Sequence, residues 1–476
     1  MNYIPSNSIR SKAIHLFVLL ITTLFHQVSL AQDITGTWNG LLSVQGTQLR
    51  LVFHVIEKET GYAATMDSPD QGAFGIPVSR TQFEDSEITF IVANAGIKYT
   101  GTLEAGTFKG TFQQGAFETP MNLSRESVTP EKPNRPQEPM APFPYLTEEV
   151  TFYNPKDAIN LSGTLTLPEG EGPFPAAILI SGSGPQNRDE ALMGHKPFLV
   201  LSDHLTRNGI AVLRFDDRGV GDSEGDFSQA TSVDFATDVN SAFAFLKSHS
   251  KINTEQIGLI GHSEGGLIAP MVAAENSEVA FALLMAGPGI SGADILRLQT
   301  ADIARANGVS PEQISGELDL LNTFLNQLSE DEDIPTLKNK LTTKLQETFT
   351  IHPDYLPEAM DAATYIESSL KQVTPWMVYF LKHDPATTLL QVRCPVLAIN
   401  GEKDLQVASA VNLEAIKNAL ESGGNRSVTI KELPGLNHLF QECETGSPSE
   451  YAQIEQTFSP VALDLILDWI LTLIEN

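Results

Sequence analysis

The sequence predicts an α/β fold in which a mostly parallel sheet of about eight strands is covered by helices on both faces. After residue 146, short and nearly continuous apolar runs alternate with helical stretches, a pattern typical of strands buried in a parallel sheet. The interval from Gly287 to Pro395 is too long for an ordinary crossover and predicts an inserted helical cap. Residues 33–125 alternate polar with apolar side chains and predict a small all-β domain before the sheet.

The length and the charge of the chain limit the number of domains and the kinds of partner that can be expected. A chain of 476 residues is expected to hold two or three domains. Lys and Arg number 30 against 59 Asp and Glu, a formal net charge of -29. Such a chain repels phosphate backbones and anionic lipid surfaces, which argues against nucleic-acid binding.

Residues 1–31 are typical of a secretory signal peptide. Arg10 and Lys12 precede an apolar run over 13–25, and small residues stand at Ser29 and Ala31, the two positions that a signal peptidase inspects. The run is shorter than the ~20 residues that a membrane span needs. We expect cleavage after Ala31, export to the periplasm or the medium, and no membrane span in the mature chain.

Residues 33–125 and 126–145 precede the predicted sheet. The first range is dense in Gly and Thr and predicts an antiparallel barrel or sandwich, which we interpret as a binding or spacer module rather than a second active site. The second is dense in Pro, which favours an extended, semi-rigid linker.

Residues 146–476 form the predicted catalytic domain, with the helical cap at 290–390. Its strands are predicted at 147–153, 159–167, 176–180, 210–215, 257–260, 279–285, 396–399 and 428–433. The first two are expected to form an antiparallel pair. Cys394 and Cys443 then fall at opposite ends of the sheet, beyond the ~7 Å Cα separation that a disulfide allows, and we expect two free thiols.

The segment Gly261-His262-Ser263-Glu264-Gly265 follows an apolar strand and precedes a helical stretch. A serine on so sharp a turn is strained and presents its hydroxyl above the sheet edge. Glycine is needed two residues before and two after it, because those positions crowd each other. We therefore predict that Ser263 is a nucleophile; the alternative is an ordinary serine on a Gly-rich turn.

A serine nucleophile needs a general base, and the base needs an orienting acid. Asp404 and His438 each follow a predicted strand, and the order Ser263, Asp404, His438 is that of an α/β hydrolase. Glu402 is a rival for the acid, and His438 as an ordinary loop histidine is the alternative to its role as base.

Two backbone N–H groups are expected to stabilise the tetrahedral intermediate. One is the N–H of Glu264. The other should come from the loop Ser181-Gly182-Ser183-Gly184-Pro185. Because proline cannot donate, Ser183 is the first choice and Gly184 the second.

Residues 146–476 resemble a bacterial carboxylesterase of the α/β-hydrolase superfamily, related to the serine aminopeptidase group. The resemblance rests on the motif around Ser263, on Phe215-Asp216-Asp217-Arg218-Gly219, on Asn400-Gly401-Glu402-Lys403-Asp404 and on Asn437-His438. It implies hydrolysis of small-molecule esters with short acyl chains, with neither metal nor cofactor. The chain departs from many relatives at Ser181-Gly182, where they have His-Gly.

The sequence also allows other functions. A serine peptidase or amidase would need carboxylates to hold a substrate ammonium, and the acidic run 330–333 would supply them, although such a run is usually a solvated loop. A catalytically silent binding protein is the alternative of another class, against which the three matching residues argue.

Asp217 and Arg218 are interpreted as an ion pair that fixes their loop. The aromatic residues of 376–380 either line an acyl pocket or only pack the cap.

Overall fold

The computed structural model describes residues 33–44, 47–71, 73–114, 117–129, 134–328, 333–356 and 361–474. The predicted signal peptide lies outside these residues. Within them, helices that combine the length and the hydropathy of a membrane span do not occur. Contacts divide the chain into two compact units, one built mainly from Arg50–Gln114 and the other mainly from Thr129–Asn476.

The first unit is all β, as predicted. Its strands form two antiparallel sheets, in the orders β1-β2-β3-β4 and β5-β6-β7-β8-β9. The strands are β1 (Gly36–Val44), β2 (Thr47–Lys58), β3 (Gly61–Ser68), β4 (Ala73–Pro77), β5 (Arg80–Glu84), β6 (Glu87–Val92), β7 (Ile97–Glu104), β8 (Thr107–Gln114) and β9 (Phe117–Leu123). Aromatic side chains fill the core, where the rings of Phe53 and Phe90 stack at 4.5 Å.

The second unit is built on an eight-stranded sheet in the order β10-β11-β13-β12-β14-β15-β16-β17. The strands are β10 (Leu146–Asn154), β11 (Ile159–Leu167), β12 (Phe174–Ile180), β13 (Ala211–Phe215), β14 (Ile252–His262), β15 (Ala282–Met285), β16 (Val396–Gly401) and β17 (Val428–Leu433). β11 is antiparallel to both of its neighbours, and the strands from β13 to β17 are parallel. The predicted fold class is confirmed.

Helices cover both faces of this sheet and form the insertion. They are α1 (Pro197–Arg207), α2 (Ser232–Ser248), α3 (Gly265–Glu275), α4 (Gly292–Ala306), α5 (Pro311–Leu325), α6 (Ile334–Ile351), α7 (Ala362–Lys371), α8 (Pro375–Lys382), α9 (Pro385–Leu389), α10 (Ser409–Ser422) and α11 (Pro460–Ile474). Helices α4 to α9 lie between β15 and β16 and form the predicted cap. A capping box formed by Ser310 and Gln313 opens α5.

Alternation along the buried strands divides the core between the two faces. In β12, Ala176, Ile178 and Ile180 belong to one hydrophobic cluster, and Ala177 and Leu179 belong to the other. The sheet is therefore held rigid from both sides. Because parallel strands point the same way, the loops after β12, β14, β16 and β17 all emerge at one edge, where ligands bind in open α/β sheets.

Arg135 fastens the last part of the Pro-rich linker to the second unit. Its guanidinium donates hydrogen bonds to the carbonyl oxygens of Met193, Gly194, Ala452 and Ile454. Arg presents several donors in a fixed planar arrangement, which suits such a cluster of acceptors. The segment around Arg135 is therefore held against the second unit.

The two cysteines, Cys394 and Cys443, are free thiols. Cys394 stands just before β16, and Cys443 lies in the loops beyond β17. Burial raises the pKa of the Cys394 thiol to about 11, which leaves it protonated at neutral pH.

Candidate active site

The turn between β14 and α3 brings its two flanking glycines into direct contact. A Cβ atom built on Gly261 would lie 1.9 Å from the carbonyl oxygen of Gly265, so the turn tolerates no side chain there. Ser263 has a φ of 53°, a left-handed conformation that costs a non-glycine residue about 1–3 kcal/mol. Its N–H donates to the carbonyl of Met285 at 2.8 Å, which ties the strained residue to the neighbouring strand.

Asp404 and His438 meet at the carboxyl ends of β16 and β17. The Nδ1 of His438 lies 2.7 Å from Oδ2 of Asp404, and both residues are 4% exposed. The other oxygen, Oδ1, accepts the N–H groups of Gln406 and Val407 at 2.8 and 2.9 Å. The aspartate is therefore held as a fixed acceptor that keeps a proton on Nδ1 and leaves Nε2 of His438 free to act as a base.

Glu402, the rival acid, points elsewhere. Its side chain is exposed and accepts the N–H of Gly435 at 3.0 Å. This arrangement leaves Asp404 as the acid paired with His438.

His262, the residue before Ser263, is hydrogen-bonded to the loop that carries His438. Its Nε2 lies 3.0 Å from the backbone oxygen of His438, and the two rings are 4.9 Å apart. The loop that carries His438 is thus joined by a hydrogen bond to the turn that carries Ser263.

The loop after β12 lies against the serine. A Cβ atom on Gly182 would come within 3.1 Å of the Cβ of Ser263. The N–H of Gly182 donates to Oε1 of Glu190 at 2.7 Å, so it is committed away from the site. Ser183 and Gly184 follow as the next N–H groups of the loop. Glu264, in helical conformation just before α3, offers one of the unsatisfied N–H groups of a helix start.

The Glu264 side chain, which the sequence analysis did not single out, joins the turn to the cap. Its Oε1 accepts the hydroxyl of Ser232 and the indole N–H of Trp376, each at 2.6 Å. Trp376 lies on α8 and stacks on Phe380 at 5.3 Å. Burial raises the pKa of Glu264 to about 7, against the two hydrogen bonds, which lower it. The cap therefore contacts the residue next to Ser263.

The predicted ion pair between Asp217 and Arg218 is wrong. Arg218 instead pairs with Asp238 at 2.7 Å and Asp157 at 2.9 Å. Asp217 accepts the Ser181 hydroxyl and the Gln186 N–H, at 2.7 and 2.9 Å, and burial raises its pKa to about 8. Each residue therefore has its partners outside the segment that the two share.

Among the described residues, groups of three or more His, Cys, Asp or Glu side chains placed to hold a metal ion do not occur.

Comparison with known proteins gives a family and a relative of known name. The model of the family described as serine aminopeptidase, S33, matches residues 197–444. Esterase EstD of Thermotoga maritima is 27% identical over 311 residues, and the match covers 65% of this chain and 65% of that protein, just under two thirds of its length.

Two solved structures are also similar. The esterase Pf2001 of Pyrococcus furiosus has a TM-score of 0.41 at 15% identity, over 69% of this chain and 93% of its own. The α/β hydrolase GrgF of Penicillium sp. sh18 has a TM-score of 0.38 at 21% identity, over 62% of this chain and 91% of its own.

The raised pKa of Glu264 predicts a pH-dependent stability. Between its ordinary value of 4.5 and about 7, the folded state binds a proton that the unfolded chain releases, so stability falls as pH rises through this window. Glu264→Gln should therefore show a flatter fall of Tm from pH 5 to 7.5 than the wild type, measured by scanning calorimetry.

Glu275→Gln is the matched control, because Glu275 is an exposed glutamate on α3, the helix that Glu264 precedes. It should leave the slope of Tm against pH unchanged. Equal slopes for the wild type and Glu264→Gln would contradict the assignment of this proton to Glu264.

Proposed function

The chain belongs to the serine aminopeptidase S33 family, and from that membership we propose that it is a serine hydrolase that cleaves carboxylic esters with short acyl chains. The observation that carries the proposal is the buried contact of 2.7 Å between His438 and Asp404, at the sheet edge where Ser263 sits on its strained turn. In this proposal Ser263 is the nucleophile, His438 the base and Asp404 the orienting acid, each from a separate loop.

The proposed reaction passes through an acyl-enzyme on Ser263. His438 Nε2 removes the hydroxyl proton as Oγ attacks the ester carbonyl carbon, while Asp404 stabilises the imidazolium. The N–H groups of Glu264 and Ser183 receive the developing oxyanion. The alcohol leaves with the proton from His438, and water, activated by the same histidine, then releases the carboxylic acid and restores the serine.

The proposal of an ester rather than an amide as substrate rests on the similarity of this chain to a named esterase. The relative of Thermotoga maritima is named an esterase. The acidic run that would serve a peptidase begins at 330–332, outside the described residues, and its last member, Asp333, accepts the N–H of Thr336 at 2.7 Å. Asp333 is thus occupied as the N-cap of α6. Trp376 on α8 donates to Glu264, and the half-buried aromatic residues of this helix are proposed to face the substrate.

Turnover of a substrate panel tests the proposal. The purified protein should hydrolyse p-nitrophenyl acetate and butyrate faster than the laurate and leave aminoacyl p-nitroanilides intact. Ser263→Ala should lower kcat by about 10⁶-fold, and Asp404→Asn by about 10⁴-fold, because the amide no longer holds the correct tautomer of His438.

Glu402→Gln is the control for Asp404→Asn and should keep the wild-type kcat. Turnover of anilides alone would favour the peptidase. An equal rate for Ser263→Ala and the wild type would reject the serine mechanism and favour a binding protein.

We also propose that the protein is exported, on the pattern of residues 1–31. Mass spectrometry of the protein expressed with its full sequence should find Gln32 as the first residue of an exported form. Ala31→Arg should block cleavage, because the peptidase needs a small residue there. A cytoplasmic product that retains residues 1–31 would contradict the export.

A further inference from the structure

Next to the proposed triad, the carboxylate of Glu190 and the imidazole of His262 form a second buried pair. The Nδ1 of His262 is 2.9 Å from Oε1 of Glu190, and the two residues are 6% and 2% exposed. Neither residue is a member of the proposed triad. A buried charge pair contributes little to stability on average, because desolvation offsets the attraction, so its presence calls for another reason.

Each end of the pair holds a different catalytic loop. Oε1 of Glu190 also accepts the N–H of Gly182 at 2.7 Å, in the loop of the proposed second oxyanion donor. The Nε2 of His262 lies 3.0 Å from the backbone oxygen of His438. His262 itself precedes Ser263, so the pair joins the oxyanion loop, the nucleophile turn and the base loop in one chain of hydrogen bonds.

Counting protons fixes the direction of these bonds. A carbonyl oxygen cannot donate, so the bond to His438 requires a proton on Nε2 of His262. The contact between Nδ1 and Oε1 needs one more proton, carried by either atom. Oε2 of Glu190 is buried without a hydrogen-bond partner among the described residues, so a proton there would have no acceptor. The shared proton therefore lies between Oε1 and Nδ1, and both ring nitrogens are engaged.

Backbone strain marks the same three loops. Glu190, Ser263 and Phe440 have φ values of 50°, 53° and 59°. Each such residue costs about 1–3 kcal/mol and persists only where its surroundings hold it. Glu190 and Ser263 are directly bound into the network around His262, and Phe440 is two residues from His438.

We propose that Glu190 and His262 are positioning residues for the hydrolysis: together they set the distance of His438 and of the oxyanion loop from Ser263. This inference rests on the proposed function and deepens it. By taking up the N–H of Gly182, Glu190 leaves the following N–H groups, first that of Ser183, to the oxyanion. By binding the carbonyl of His438, His262 fixes the backbone from which the general base projects.

Kinetics of the full-length protein with p-nitrophenyl butyrate test the positioning role. Glu190→Ala should lower kcat by about 100-fold, the loss that a misplacement of 1 Å produces, with a much smaller change in KM. Glu190→Gln should recover part of the loss, because its amide oxygen can take the place of Oε1 and accept the N–H of Gly182.

Asn425→Ala is the matched control for lost stability. Asn425 is buried and donates to the carbonyls of Val392 and Cys394, at the amino ends of the strands, away from the site. It should lower Tm and leave kcat unchanged. A folded Glu190→Ala protein with the wild-type kcat would overturn the proposal, as would equal losses of kcat in Glu190→Ala and Asn425→Ala.

Proton NMR in water provides a readout that does not depend on turnover or on the folding of a variant. The wild type and Ser263→Ala should both show two slowly exchanging signals, one from Nε2–H of His262 and one from the proton between Nδ1 and Oε1 of Glu190, and the second should vanish in Glu190→Gln. Absence of the second signal from the wild type would overturn the pair. A wild type that shows both signals but hydrolyses no ester would instead reject the proposed function.

Discussion

The close approach of Gly261 to Gly265 is the constraint on which the rest of the site depends. A separation of 1.9 Å between a built Cβ and a carbonyl oxygen excludes every side chain, and the turn that this contact closes forces Ser263 into a left-handed conformation. The strain is held because β14 is hydrogen-bonded between β12 and β15 in the middle of the sheet. The rigid sheet thus stabilises a turn that no isolated segment would adopt.

The other loops take their positions from this turn. His438 is joined to it through His262, the oxyanion loop through the contact of Gly182 with Ser263, and the cap through the bond from Trp376 to Glu264. Most of these contacts involve polar groups removed from water, where an unsatisfied partner is costly. The site therefore behaves as one network, in which moving any loop breaks a buried hydrogen bond.

The sequence predicted what local pattern and chain order determine. Gly-x-Ser-x-Gly after an apolar strand indicates a sharp turn, and the strands predicted at 159–167 and 428–433 have the bounds that the structure shows. The cap was predictable from the length of the insertion. In each case the signal lies within a short segment or in the order of segments.

Contacts between distant segments were not predictable in this way. Asp217 and Arg218 are neighbours of opposite charge, which suggested a pair, but the fold offers each a buried partner from another element. Glu190 and the side chain of Glu264 carry no motif of their own. Their importance follows only from the folded sheet, which brings residues 182, 190, 262 and 438 together.

Trapping the covalent intermediate tests the central claim most directly. The protein is mixed with a p-nitrophenyl ester, quenched in acid within milliseconds, and analysed by intact mass and peptide mapping. The account predicts one acyl group per chain, on the peptide that contains Ser263, and no adduct in Ser263→Ala. An acyl group on another residue would contradict the account. So would rapid release of p-nitrophenol in the first turnover with no acyl adduct on the protein.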